Sequence, residues 1–148
     1  MKFEIKISRA ENPTTEILEA INRLLPQLSS SAAPLSHDHL KGLLDNDASH
    51  LFVAEAEGKI VGMLSLVTVD IPTGRKAWIE DVVVDAEARG RHIGEALVER
   101  AKAEAERLGA KRIYLTSNPA RQAAHALYTK CGFEKYDTTL FRINHSNK

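Results

Sequence analysis

An α/β fold of the α+β kind is what this 148-residue sequence predicts. Three observations carry that expectation. "FEIKI" at 3–7 alternates apolar and charged residues with the period of a half-buried strand. Ile17, Leu18, Ile21, Leu24, Leu25 and Leu28, and later Ile93, Leu97, Ala101 and Leu108, fall instead at helical spacing. Between these helices, 51–69 holds two β-rich runs hinged at Glu57 and Gly58. The length fits a single domain over 1–148, large enough to bury most of its apolar surface around one core.

The strand at 3–7 is followed by Asn12 and Pro13, a cap and first-turn signal that opens the first helix. "SSSAAP" at 29–34 is small, polar and proline-terminated and reads as a mobile connection, after which Ser36 caps a short second helix carrying Leu40, Leu43 and Leu44. Because Gly58 tolerates positive φ, the runs on either side of it form a hairpin, and "KAWIEDVVV" at 76–84 adds a third strand to the same sheet. A long helix runs from about Ile93 to Leu108 with Gly109 as its C-cap. "KRIYLTS" at 111–117 is a further strand, "RQAAHALYTKC" at 121–131 a helix ending at Gly132, and "FEKYDTTLFRI" at 133–143 a final strand or hairpin.

Composition excludes several classes of function. A formal net charge of +0 argues against a general nucleic-acid binder or a polybasic membrane adaptor. The charge is unevenly spread: up to Gly74 there are 6 Lys+Arg against 10 Asp+Glu, and beyond it 14 against 10, so an anionic ligand belongs to the second half. The single cysteine, Cys131, excludes an internal disulfide and fits a reducing compartment. There is no apolar run near 18 residues and no secretory pattern at the start, so the expected location is cytoplasmic.

The informative stretch is "IEDVVVDAEARGRHIGEAL" at 79–97, where a strand passes through a charged turn into a helix. A helix N-terminus has backbone N–H groups without intrahelical partners and a partial positive charge, and so binds phosphate. Gly90 and Gly94 let a ligand approach the main chain, while Arg89 and Arg91 raise the local potential; a diphosphate would fit. A dinucleotide fold would need G-x-G-x-x-G and a P-loop G-K-[ST], and neither is present.

"VVVDAEARGRHIG" at 82–94 resembles the acetyl-CoA signature of the GCN5-related N-acetyltransferases, R/Q-x-x-G-x-G/A after a strand ending in valine. "NPARQAAHALYTKCGF" at 118–133 resembles that family's second motif, a helix with a tyrosine shortly before Gly-Phe or Gly-Tyr. The element order is similar from end to end. The resemblance implies a mixed, mostly antiparallel twisted sheet of six to seven strands flanked by about four helices. Within the family, "IEDVVVD" is similar to the glucosamine-6-phosphate acetyltransferases and the second motif to the aminoalkylphosphonate group, two pointers that disagree on substrate.

That resemblance implies acetyl-CoA as co-substrate. Its diphosphate would lie on Arg89, Gly90, Arg91, His92, Ile93, Gly94 and Glu95, and its pantetheine arm along Val82, Val83 and Val84 in the manner of an added strand, with a backbone N–H near Val82 polarising the thioester carbonyl. Asn118 and Arg121 would stand near the arm. Two positions depart from the pattern: His92 replaces the signature's first glycine, its N–H still donating if its angles are helical, and Arg121 stands where some relatives carry asparagine.

An attacking amine must lose a proton, and Glu80 on the strand flanking the thioester is the candidate base, directly or through water. Asp81 is the alternative, since neighbouring strand residues point to opposite faces unless a bulge intervenes. Tyr128 matches the family's proton donor to the departing thiolate. Cys131, at a helix C-terminus whose dipole disfavours an anion, reads as buried apolar filler rather than an acyl carrier. "HDH" at 37–39 reads as solvated helix-start residues and not a metal site, because adjacent and i+2 side chains share no helix face. His125 either lines the face of Tyr128 or is satisfied in the core.

The expected activity is acetyl-CoA-dependent N-acetylation of a primary amine, a small molecule, by direct transfer in a ternary complex. The alternatives are a protein or peptide N-acetyltransferase and a non-catalytic acyl-CoA-binding domain. The acceptor pocket is expected from 27–38 and the tail beyond Phe133, with no nucleic-acid or membrane partner and a possible homodimer.

Overall fold

The computed structural model describes residues 4–145. In chain order the elements are β1 (Ile5–Arg9), α1 (Thr15–Leu28), α2 (His37–Asp45), β2 (Ser49–Ala56), β3 (Lys59–Ile71), β4 (Gly74–Val84), α3 (Ile93–Arg107), β5 (Ile113–Tyr114) and α4 (Gln122–Lys130), with a 3-10 turn at Ala86–Ala88. The strands form one sheet in the order β1-β2-β3-β4-β5; the first three pairings are antiparallel and β4–β5 is parallel. The predicted mixed, mostly antiparallel sheet with four helices is therefore present, with five strands in place of six to seven.

The missing strands are those expected near the C-terminus. Of 111–117 only Ile113–Tyr114 is paired, and 133–143 has no regular structure. β-rich residues make a strand only where a neighbouring backbone accepts their N–H and C=O groups. Among the described residues no strand pairs with 133–143, and Tyr136, Leu140, Phe141 and Ile143 are exposed along it.

Helix α3 covers one face of the sheet and α1 with α2 the other. Phe52, Ala54, Leu64, Leu66, Ala77 and Ile79 pack against Ile93, Leu97, Val98 and Ala101 of α3. On the opposite face Val53, Ile60, Met63 and Val83 pack against Ala20, Ile21 and Leu24 of α1 and Leu40 of α2. Each face uses alternate strand residues, as the pleat requires. Gly62 permits the closest approach: a Cβ there would lie 3.2 Å from Leu97 Cδ1 and 3.3 Å from Ile93 Cγ2. The first turn of α3 thus sits directly on β3.

Local capping and turn signals meet the structure unevenly. Thr14, not Asn12, caps α1, its Oγ1 accepting from the Ile17 N–H at 3.2 Å. Pro13 therefore precedes the helix instead of occupying its first position. Ser36 caps α2 as expected, accepting from the His39 N–H at 3.1 Å. Glu57 and Gly58 turn the β2–β3 hairpin at φ 53° and 77°, the left-handed pair of a type I′ turn. Gly109, at φ 79°, follows the last residues of α3. The part of the first predicted strand at Phe3 lies outside the described residues.

Candidate active site

The site is organised by an irregularity in β4. Met63 pairs with Val83 and Ser65 with Glu80, so Leu64 faces two residues, Asp81 and Val82. This is a β-bulge, and Asp81 occupies it in the left-handed region at φ 51°. The extra residue shifts the phase of the pleat. Ile79, Val82 and Val84 face α3, whereas Trp78, Glu80 and Val83 face the side of α1 and α2. Val83 is covered by α1; Trp78 and Glu80 lie beyond that second core.

Beside the bulge the sheet opens. The β4–β5 ladder consists of Ala77↔Ile113 and Trp78↔Tyr114 and stops there. From 79 to 84 one edge of β4 pairs with β3 and, among the described residues, no strand pairs with the other. Glu80 and Trp78 line a cavity of about 360 Å³ in this region, together with Val67, Thr116 and Leu140. Glu80 is exposed at the mouth of this cavity, and partial desolvation of its carboxylate, reinforced by the neighbouring Asp81 carboxylate, holds its pKa above the ordinary value. The tail contributes to the cavity through Leu140 as expected, but no residue of 27–38 lines it. That segment is drawn back onto α1: Asn22 Nδ2 donates to the Leu35 carbonyl at 3.0 Å and Asn22 Oδ1 accepts from the Leu35 N–H at 2.7 Å. Gln27 is likewise engaged, its Oε1 accepting from the Ala86 N–H at 2.8 Å.

The turn into α3 follows β4 directly. Asp85, buried, accepts from the Glu87 N–H at 3.1 Å and shapes the 3-10 turn. Gly90 lies at φ 83°, and a Cβ there would meet nothing within 4 Å, so its surface is open to a ligand. Arg89 is exposed and Arg91 half-buried. His92 corrects an expectation. It does not take right-handed helical angles but sits at φ 61°, ψ 23°, as the N-cap of α3, its side chain making no capping bond to the backbone N–H groups of the first turn. The N–H groups of Ile93, Gly94 and Glu95 are the donors that the helix itself leaves without an acceptor one turn back. Gly94 is also a packing position, since a Cβ there would lie 3.2 Å from Leu127 Cδ2. The Glu95 carboxylate faces Lys130 Nζ at 3.0 Å and His92 Nδ1 at 3.3 Å, which fastens α3 to the end of α4.

On α4, Tyr128 is half-buried against the α3-side core, edge-on to Phe133 with ring centroids 6.2 Å apart. Burial raises the pKa of its phenol, partly opposed by the charge of Arg121. Asn118 shapes the loop before α4, where its Oδ1 accepts from the Ala120 N–H at 2.9 Å and its carbonyl contacts His125 Nε2 at 3.1 Å. Arg121 is the N-cap residue of α4 and exposed. Cys131 is buried, and burial together with Glu99 pushes its thiol pKa up.

Sequence reasoning missed Trp78, Tyr114, Val67 and Thr116. A signal was available for one of them, because Trp78, the chain's only tryptophan, lies two residues from Glu80 on a predicted strand. Among the described residues no group of three or more His, Cys, Asp or Glu is placed to hold a metal ion, and no helix is long and apolar enough to cross a membrane.

A bulged β4 parted from β5 thus leads into a helix start with unpaired backbone amides, in a mixed α/β sheet protein. The model of the acetyltransferase (GNAT) family matches residues 15–133, and the chain belongs to that family. Over 108 residues it is 34% identical to human N-acetyltransferase 8, covering 72% of this chain and 48% of that protein. It is 34% identical over 121 residues to glucosamine 6-phosphate N-acetyltransferase 1 of Oryza sativa subsp. japonica, covering 74% and 70%. The chain thus spans about half the length of the human relative. A crystal structure of an acetyltransferase of Trypanosoma brucei superposes with a TM-score of 0.77 at 27% identity, over 95% of this chain and 99% of that one.

Acetyl-CoA is the acetyl donor of the family, and the residues present fit it. The strand-free edge of β4, the open cradle at Gly90 and the first turn of α3 without a side-chain cap follow one another along the chain and each leaves backbone groups for such a ligand.

Proposed function

We propose that residues 1–148 form one acetyltransferase domain that transfers an acetyl group from acetyl-CoA to the primary amine of a small molecule, directly, in a ternary complex. The observation that carries this reading is the strand-free edge of β4 at 79–84, which runs from the Glu80 cavity to the first turn of α3.

The N–H groups of Ile93, Gly94 and Glu95, with the backbone at Gly90 and the charges of Arg89 and Arg91, would hold the diphosphate. His92 shapes the entry to the helix and adds an exposed imidazole. Backbone groups of Val82, Val83 and Val84 would take the pantetheine arm as an added strand. The co-substrate supplies an activated acetyl thioester. A backbone N–H near Val82 would donate to the carbonyl oxygen as negative charge grows on it. Glu80, whose raised pKa brings it closer to neutral pH, accepts the proton of the attacking amine at its carboxylate, directly or through one water. Asp81 is displaced into the bulge and is not among the residues lining the cavity, which favours Glu80. Tyr128 stays protonated at neutral pH and gives its hydroxyl proton to the departing thiolate.

Cys131 supports direct transfer, because a buried thiol with a raised pKa is a poor nucleophile. Asn118, which shapes the loop before α4, and Arg121 at its N-cap would stand near the arm. A small acceptor is supported by the modest cavity and by the relative acting on glucosamine 6-phosphate. The exposed apolar tail residues support a homodimer, and the lone reduced cysteine a cytoplasmic location.

The test is release of free thiol from acetyl-CoA across amino sugars, aminophosphonates, polyamines, amino acids, arylalkylamines and peptides. Turnover with small amines, abolished in Glu80→Gln and Tyr128→Phe variants that still bind CoA, is expected. Turnover of peptides alone, or full activity in both variants, would overturn the reading.

A further inference from the structure

The acceptor side of the Glu80 cavity has a composition that selects among amines. On one face of β4, Lys76, Trp78 and Glu80 follow one another at every second residue, giving a cation, an aromatic ring and a carboxylate in a row. Trp78 stacks on Tyr114 with centroids 5.2 Å apart, and Tyr114 meets Tyr136 edge-on at 6.2 Å. Among the described residues lining the cavity, Glu80 is the only charged one; Val67, Trp78 and Leu140 offer carbon and Thr116 a single hydroxyl.

We infer that the acceptor is a primary amine with an apolar or aromatic body and no second charge, its nitrogen at Glu80 and its carbon skeleton against Trp78, Val67 and Leu140. This rests on the acetyltransferase reading and deepens it. A cavity of about 360 Å³ is at the small end of ligand sites, room for one ring and a short chain. A phosphorylated amine would place a dianion near the Glu80 carboxylate, and none of the described residues lining the cavity is a cation that could balance it. Lys76 stands outside the lining, its Nζ 5.9 Å from the Trp78 ring centroid and 5.6 Å from that of Tyr114. Held over those two ring faces, its charge repels the second ammonium of a polyamine at the rim. The ammonium of a monoamine passes this rim once and is then paired with Glu80. The same wall that rejects a phosphate gains from every methylene and ring carbon it covers.

Trp78 makes the test direct, since it is the chain's only tryptophan and its emission reports on the cavity whether or not acetyl transfer occurs. The chain saturated with CoA is titrated with 2-phenylethylamine, glucosamine 6-phosphate and spermidine while Trp78 fluorescence is followed, and thiol release from acetyl-CoA is measured for the same three amines. The expected result is half-saturation by 2-phenylethylamine at a concentration at least ~10-fold below that of the other two, matched in kcat/KM. Trp78→Ala should raise KM for 2-phenylethylamine about tenfold, with retained CoA affinity showing that the variant is folded. Tighter binding and faster turnover of glucosamine 6-phosphate, lost in Lys76→Ala, would overturn the substrate class and leave the acetyltransferase reading standing. No thiol release with any of the three or with the wider amine panel would sink the acetyltransferase reading, and the fluorescence ranking would still decide which amine the cavity prefers. Equal half-saturation by all three would overturn the inference as well.

Discussion

Cδ2 of Leu127 lies 3.2 Å from where a Cβ of Gly94 would stand, so the first turn of α3 and the middle of α4 meet across a bare backbone. The helix proposed to hold the diphosphate and the helix carrying Tyr128 are thereby packed as one unit, and the Glu95–Lys130 ion pair at 3.0 Å fastens the same two ends. Gly94→Ala asks only the tip of a flexible leucine to move and gains helix propensity of roughly 1 kcal/mol, so its melting temperature should stay near that of the parent. Gly94→Val should cost about 1–3 kcal/mol through overpacking and displace α4. Thermal melts alongside thiol-release assays check both, with kcat expected to fall in the valine variant.

His92 caps α3 at φ 61°, a conformation that costs a non-glycine residue on the order of 1–2 kcal/mol. Glycine removes that cost and gives back part of it as unfolded-state entropy. His92→Gly is expected to stabilise the chain by up to about 1 kcal/mol in denaturant titration. Its affinity for CoA should not decline, because the donors of the first turn belong to Ile93, Gly94 and Glu95.

Proton removal by Glu80 has a signature in pH. The carboxyl titrates above its ordinary value, through partial desolvation first and Asp81 second. The base form is lost as pH falls through that raised pKa, so kcat/KM should decline on the acid side at a pH above 4.5. Glu80→Gln should lower kcat by roughly 10²–10⁴ and abolish that acid limb. Asp81→Asn should keep the limb and move it to lower pH, since the neighbouring charge that helps raise the Glu80 pKa is gone.

Glu104 is 4% exposed on the inner side of α3, bonded to Arg107 and, at 3.2 Å, to Arg100 Nη1. The hydrogen bond from Arg107, with help from Arg100, lowers its pKa from 4.5 to about 2. A depressed folded pKa gives stability that is complete above pH 4.5 and is lost as pH falls towards 2. The full shift corresponds to ~3 kcal/mol, reduced because Arg107 is solvent-exposed, so Glu104→Gln is expected to cost about 2 kcal/mol at neutral pH. His50 adds to the acid sensitivity: burial lowers its pKa below 6.5, so the stability that comes with its neutral form is lost as pH falls below that value. Equilibrium unfolding between pH 7 and pH 3 measures the combined slope, and Glu104→Gln should flatten its lower part.

Much of this was legible along the chain. The Glu57-Gly58 turn, the Ser36 cap, the limits of α3 and the motif pair that placed the chain in its family are set by contacts within a few residues, where periodicity and capping chemistry act. The candidate cofactor track was readable for the same reason, since a helix N-terminus following a strand is a local object. Leu108, expected on the inner face of α3, is only half-buried, while Glu104 is buried there. A carboxylate enters a core when arginines one turn away on the same helix satisfy it, and apolar spacing carries no trace of that.

What the residues decided alone is the order of elements and the unpaired amides of the turn into α3, proposed to hold the diphosphate, because both follow from short-range sterics and backbone charge. The tertiary structure decided which carboxylate faces the cavity, where the sheet parts, and that 133–143 pairs with no strand among the described residues. Each of these depends on a partner distant in sequence: the bulge opposite Leu64 sets the phase of Glu80, the short ladder to Ile113 and Tyr114 sets the gap, and a strand without a neighbouring backbone has nothing to pair with.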